Sequence, residues 1–307
     1  MITSIFSKSK PVNFLVVFVV ILITFFVAEV KFSNPEFTPA FFLKKGSMFL
    51  LAFVSVLLLN FVVNKNSLTK KNNYEILLFS LFLLLIPQSV LGWKIMASNF
   101  FILLSLRRII SLRSQKEVIK KLFDAAFWIG IASVFYFWAI LFVLVIIAAL
   151  IFFSENRLRY WIIPFVALVA VLLLAICYSL VRYDSLFWFS RLNYSIDFNY
   201  TSYNTLAYVI AITVLLSFGI WSSFFYLQNL KSKMKTLKPG FKIVLTTFLV
   251  AWALVIIAPQ KNGNEFLFLF APLAIIVTNY IETIKEKWFK EVFLATFIVI
   301  PAVLLML

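Results

Sequence analysis

The sequence predicts an all-α fold, a polytopic transmembrane helical bundle. Three observations predict it. Of the 307 residues, 64% are hydrophobic and 13% charged, against about 45–50% and about 25% in a soluble domain. The apolar residues fall in long runs, most of them near the roughly 20 residues that cross a bilayer as a helix. Lysine and arginine gather in every second gap between those runs. A chain this short could not hide so much apolar surface inside a water-soluble fold. A backbone in lipid must satisfy its own polar groups, which a helix does.

The first run, 11–30, follows Lys8 and Lys10 and invites comparison with a secretory signal. It is longer than the roughly 7–15 residues of a signal core and lacks a clear small-x-small cleavage site. It reads as a retained first span. Further spans are expected at 46–63, 74–91, 95–110, 161–181, 205–227, 241–258, 265–280 and 292–307. The run 122–153 is too long for one ordinary span and short for two. Gly130 and the cluster Phe135, Tyr136, Phe137 and Trp138 mark a tight reversal, giving spans at 122–135 and 136–153. A single long tilted helix is the alternative, and it would invert everything after it.

Charge decides between these. With the N-terminus in the cytoplasm, the inner segments hold 20 of the 28 basic residues and the outer segments 7, with Lys242 at the inner start of a span. The inner loops include Lys70 and Lys71, Arg107 to Lys121, and Lys231 to Lys238. Short loops with this bias follow the positive-inside rule. A single helix over 122–153 would move the basic loop at 231–238 outside. The expectation is therefore about 11 spans, N-terminus cytoplasmic and C-terminus external. It forms one integral membrane domain over 1–307 with no separate soluble domain.

The formal charge of +16 would suggest nucleic acid in a soluble protein. Here it sets orientation and sits against anionic lipid heads, so membrane lipids are the expected partners and nucleic acid is not. The inner stretch Leu106–Lys121 reads as a surface helix, with Ile109, Ile110, Leu112, Val118 and Ile119 towards lipid. The chain has no histidine and one cysteine, Cys177. That excludes an internal disulfide, Cys/His metal clusters and Ser-His-Asp chemistry. No Gly-rich phosphate loop or HExxH occurs, and neither a metal nor a cofactor is expected. No paired Gly/Pro breaks of a discontinuous-helix transporter occur either.

Ionisable groups near the membrane are candidates by default, because burial there is costly. Glu29 ends the first span, where the helix dipole disfavours an anion. Glu36 follows in the loop. Asp124 opens the fifth span, where an acid suits the dipole. Glu265 opens the tenth span just after Lys261. The outer loop 182–204 carries Trp188 and seven other aromatics beside Arg182, Asp184, Arg191 and Asp197. Two readings of it stand: an interfacial anchoring belt, or a platform over an outward cavity. In the second, rings cover sugar or lipid and arginine holds phosphate.

The stretch Asn99–Leu174, with "LRRIISLRSQK" and "NRLRY" separating apolar runs, is followed later by "KNGNEFLFLFAPLAIIVTNYIE" at Lys261–Glu282. This order resembles integral membrane glycosyltransferases of the GT-C superfamily. The resemblance covers about half the chain through hydropathy order. It implies sugar transfer from a polyprenyl-phosphate carrier on the outer face. The acidic catalytic residue would lie in the first outer loop, at Glu29 or Glu36. Arg182, Arg191, Trp188, Lys261 and Glu265 would meet the substrate. The first outer loop here is shorter than in that superfamily, and its paired acidic motif is absent. The whole chain also resembles an uncharacterised family of Phe-, Ile- and Lys-rich bacterial membrane proteins. The expectation is a multi-pass protein of the bacterial cytoplasmic membrane acting in lipid-linked sugar or envelope glycan metabolism, as a reduced or inactive GT-C-like enzyme. The alternatives are a non-catalytic subunit of a membrane complex, with membrane protein partners, or a transporter.

Overall fold

The computed structural model describes residues 2–33, 38–153, 157–186 and 193–306. Among these the chain is all-α, with no strand. The helices are α1 (Ile2–Phe6), α2 (Pro11–Phe32), α3 (Pro39–Asn66), α4 (Tyr74–Leu85), α5 (Trp93–Ser111) and α6 (Val118–Phe135). They continue with α7 (Val143–Phe152), α8 (Leu158–Tyr183), α9 (Leu206–Ser232), α10 (Lys238–Ile257), α11 (Leu267–Thr283) and α12 (Lys287–Met306). Single 3-10 turns at Pro87–Val90 and Asn264–Phe266 extend α4 and α11. Eight helices are long and apolar enough to cross a membrane, the make-up of a membrane protein. Shorter apolar helical stretches cover Tyr74–Leu85 and Phe137–Phe152.

Local chemistry sets the helix ends. Proline occupies the first turn of α2, α3 and α10, where its missing N–H costs nothing. Thr38 and Thr205 cap α3 and α9 by accepting from Phe41 and Tyr208 N–H groups. Within the apolar helices, hydroxyls turn back on their own backbone. Thr24 donates to Val20, Ser55 to Leu51 and Thr247 to Ile243, all between 2.7 and 2.9 Å. This satisfies a polar group where no water competes.

The run 122–153 breaks as expected. Tyr136 is extended (φ −144, ψ 106), α6 stops before it, and the 3-10 turn Phe137–Phe142 folds back on α6 before α7 begins. The surface-helix expectation for Leu106–Lys121 fails. The chain turns at Leu112–Ser114, and Gln115 and Glu117 are left-handed. Ile109, Ile110 and Leu112 are consequently buried in protein, and only Ile119 of the expected lipid face is well exposed. Asp124 lies in the second turn of α6 and pairs with Arg108 at 3.0 Å, so a neighbouring cation and not the dipole holds it. Lys120, bonded to Glu117 at 2.9 Å, holds that carboxyl below its ordinary range.

The chain divides into two compact units. The first comprises Met1–Met96, Asn199–Lys233 and Lys261–Leu307. At its centre α4 and α11 pack together, and nearly every residue of both is buried. A helix apolar all round belongs inside a bundle. α2, α3 and α12 pack on α4, and α9 packs on α11. Phenylalanine joins them. Phe270 meets Phe82 at 5.9 Å, Phe82 meets Phe297 at 5.6 Å, and Phe297 meets Phe218 at 4.8 Å. In lipid, helices gain little from excluding water, so contact and shape must hold them. Ring pairs of this kind add about 0.5–1.5 kcal/mol each.

The second unit comprises Ala97–Phe198 and Met234–Gln260. α6 and α8 form its closest pair. Gly130 permits the approach, since a Cβ there would stand 2.9 Å from Val171 Cγ2. Beside it lies a cavity of about 360 Å³ lined by Ser133, Val134, Phe137, Leu168, Leu172 and Ala175 among others. Among the described residues its wall carries no titratable group.

Candidate functional site

The chain entering α11 builds a buried polar cluster in the first unit. Gly263 is left-handed at φ +82, a conformation glycine adopts without strain. It directs its own N–H at the Glu265 carboxylate, with Gly263 N to Glu265 Oε1 at 3.0 Å. The Tyr203 hydroxyl donates to the same oxygen. Glu265 has no exposed surface. Its second oxygen, Oε2, is buried and has no hydrogen-bond partner among the described residues.

Neighbouring residues fix this geometry. Tyr208 donates to the Asn262 carbonyl at 3.0 Å. Gly92 N–H donates to Asn264 Oδ1 at 3.1 Å, tying the 3-10 turn after α4 to the one before α11. That bond joins the last residues of two segments that each carry a Pro-Gln pair, "IPQSVLG" at Ile86–Gly92 and "APQKNGN" at Ala258–Asn264. The Tyr203 ring packs against Tyr208 at 5.4 Å and Phe266 at 5.6 Å. Lys261 is buried with 4% exposure, its ammonium 4.9 Å from the centre of the Tyr200 ring. A cation over an aromatic face gains more when desolvated.

Of the residues the sequence marked, Lys261 and Glu265 share this cluster. Glu29 has a cationic partner of its own. Its carboxylate pairs with Lys45 of α3, and both side chains are largely enclosed. Lys45 also stands 5.7 Å from the Phe41 ring. Arg182 lies exposed in the last turn of α8, in the second unit. Glu36, Trp188 and Arg191 lie outside the described residues. Tyr203 belonged to the aromatic loop that the sequence singled out. Tyr208, Gly92 and Asn264 had no local signal, because their roles come from residues far away in the chain.

The structure also holds acids that charge patterning passes over. Glu75 has no exposed surface. Glu282 accepts from Lys70 N–H at 2.7 Å and from the Asn72 side chain at 2.6 Å. The sequence signal for Glu75 was there to read: an acid at the head of the run "NNYEILLFSLFLLL", where a lone charge is expensive.

A family model matches residues 1–306, nearly the whole chain. The chain belongs to DUF6427, a family of unknown function. No curated protein and no solved structure matches it. Membership of the family carries no activity with it, so functional argument rests on the cluster around Glu265.

Proposed function

We propose that this protein acts in lipid-linked sugar or envelope glycan metabolism at a bacterial cytoplasmic membrane, as a reduced GT-C-like enzyme. The observation that carries this reading is the Glu265 carboxylate. One oxygen is held by Tyr203 and Gly263, and the other keeps its bonding capacity, enclosed with Lys261 in the same loop. A carboxylate fixed in this way can accept a proton from an acceptor hydroxyl. An ammonium nearby suits a phosphate, and tyrosine faces suit a sugar ring. Glu265 thereby becomes the leading acid candidate, since Lys45 neutralises Glu29. Glu36, Arg182, Arg191 and Trp188 remain proposed contacts on sequence grounds.

This reading includes about 11 crossings, with the N-terminus cytoplasmic and the C-terminus external. The charge bias supports it. Reporter fusions after Lys71, Lys121 and Lys238 should read cytoplasmic, and fusions after Lys45 and at the C-terminal end external. A cytoplasmic signal at the C-terminal end would remove the topology.

The activity is tested in the native cell with Glu265→Gln and Lys261→Met at unchanged abundance. Both variants should accumulate lipid-linked saccharide and lose surface glycan by mass spectrometry. Unchanged profiles in the variants and in a deletion strain would sink the enzyme reading. The Glu29–Lys45 pair favours a second reading, a non-catalytic subunit. The acid marked by the resemblance is already tied to a cation of its own chain. A protein that co-purifies stoichiometrically from gently solubilised membranes, together with normal glycan, would favour that subunit.

A further inference from the structure

The far end of the α4–α11 pair, away from Glu265, is framed by hydrogen bonds that fix its register. Asn279 donates to the Leu68 carbonyl at 2.9 Å, and Asn73 N–H donates to the Phe6 carbonyl at 3.0 Å. Glu282 is held by Lys70 and Asn72, as above. Tyr74 donates to the Thr3 carbonyl at 2.8 Å. α2, packed on α4, starts at this end, and Asn13 in its first turn donates to the Lys8 carbonyl at 2.8 Å.

At this end four side chains on α4 and the two helices packed on it are each at 0% exposure: Asn13, Asn73, Glu75 and Thr278. Each has polar atoms with no hydrogen-bond partner. They are Asn13 Oδ1, both side-chain polar atoms of Asn73, both carboxylate oxygens of Glu75, and Thr278 Oγ1. Asn73 and Glu75 start α4. Thr278 sits one turn before Glu282 on α11, and Asn13 is on α2. More than about nine in ten buried polar groups are paired, and an unpaired one costs about 1–3 kcal/mol. Packing alone does not account for such groups gathered at one end of α4 and the two helices against it.

Their chemistry is specific. The set is oxygen-rich: one carboxylate, two amide oxygens and one hydroxyl. Hard cations take oxygen ligands. One negative charge among neutral oxygens balances a single positive charge, while a divalent ion calls for more acids. No group of three or more His, Cys, Asp or Glu able to hold a metal occurs among the described residues. The surrounding charges are already engaged. Glu282 acts electrostatically on Glu75 and is itself faced by Lys70 and Lys233. Lys290 feels Lys70 and Glu282. Glu291 accepts from Thr3 N–H at 3.2 Å.

We propose that Asn13, Asn73, Glu75 and Thr278 form a binding site for a dehydrated alkali cation, sodium or potassium. The site is separate from the Glu265 cluster and independent of any glycan activity.

The test uses the full-length protein purified in detergent and equilibrium binding of radioactive sodium, with radioactive rubidium standing for potassium. Roughly one ion should bind per chain, saturably. Glu75→Gln should abolish binding, and Thr278→Val should weaken it about tenfold. The exposed-acid control Glu117→Gln should leave it unchanged. A hydrophobic carbodiimide gives a second reading that needs no variant. Its modification of Glu75, mapped by mass spectrometry, should slow in the bound alkali salt and not in choline chloride. The proposal is overturned by absence of saturable binding to folded protein. It is equally overturned by binding that survives in both Glu75→Gln and Thr278→Val. Glu75 modification that follows pH but ignores every alkali cation would assign the site to a proton instead.

Discussion

At one end of the α4–α11 pair, the Glu265 carboxylate receives a phenol and a backbone amide on the same oxygen. At the other end, Glu75 is as completely enclosed and neither oxygen has a hydrogen-bond partner. The two acids share a packed helix pair and differ in what the neighbouring segments bring. The segment 199–208 lays tyrosines over Glu265. The segment 66–73 ends in Asn73, next to Glu75 in sequence, whose side-chain polar atoms have no hydrogen-bond partner. The difference separates an acid with one oxygen anchored from an acid with neither oxygen hydrogen-bonded. Buried polar groups are costly in either case, so losing the first should cost stability as well as the proposed activity, and losing the second should cost ion binding.

Removing the bonded acid tests this most severely. Glu265→Ala leaves the Tyr203 hydroxyl and the Gly263 amide buried without their acceptor. It should cost about 2–4 kcal/mol of stability, read as a large drop in unfolding temperature in detergent. A neutral result would break the anchored half of the comparison. Gly263→Ala comes next. A methyl group there meets Tyr208 in a left-handed backbone, so a loss of about 1–3 kcal/mol is expected by the same measurement.

Glu75→Gln should behave in the opposite way. In alkali-free choline buffer it changes stability by less than about 1 kcal/mol or raises it slightly, because no donor loses an acceptor. The wild type should gain thermal stability on adding sodium or potassium, and Glu75→Gln should not. A large destabilisation in choline buffer would show that Glu75 is structural after all. The smallest effect belongs to the ion pair of Glu29 and Lys45. A double-mutant cycle with Glu29→Gln and Lys45→Met should give a coupling near 1 kcal/mol or less. A coupling indistinguishable from zero would return Glu29 to the list of catalytic candidates.

Several features could be read directly from the chain. Eight of the predicted apolar runs coincide with helices long and apolar enough to cross a membrane, and the other three, at 74–91, 122–135 and 136–153, fall on shorter helical segments with the expected break at Tyr136. Run length and composition determine this without reference to neighbours, since a backbone in lipid has little alternative to coiling. Lys261 and Glu265 were marked by their position at the head of a span, and they do share a cluster. Glu29 was marked by the same logic and turned out to be neutralised by Lys45, sixteen residues away on the next helix.

What only the tertiary structure decided is which polar groups meet. The partners of Glu265 and Asn264 lie 62 and 172 residues away, and Asn279 reaches Leu68 across 211. Hydropathy carries no record of such pairings, because a helix is apolar whether it faces lipid or another helix. Ile109, Ile110 and Leu112 read as a lipid-facing stripe and are buried in protein for that reason. Glu75 shows the limit most clearly. The sequence places an acid at the head of an apolar helix. Only the packing of α2 and α11 on α4 buries that acid completely and leaves both its oxygens without a hydrogen-bond partner.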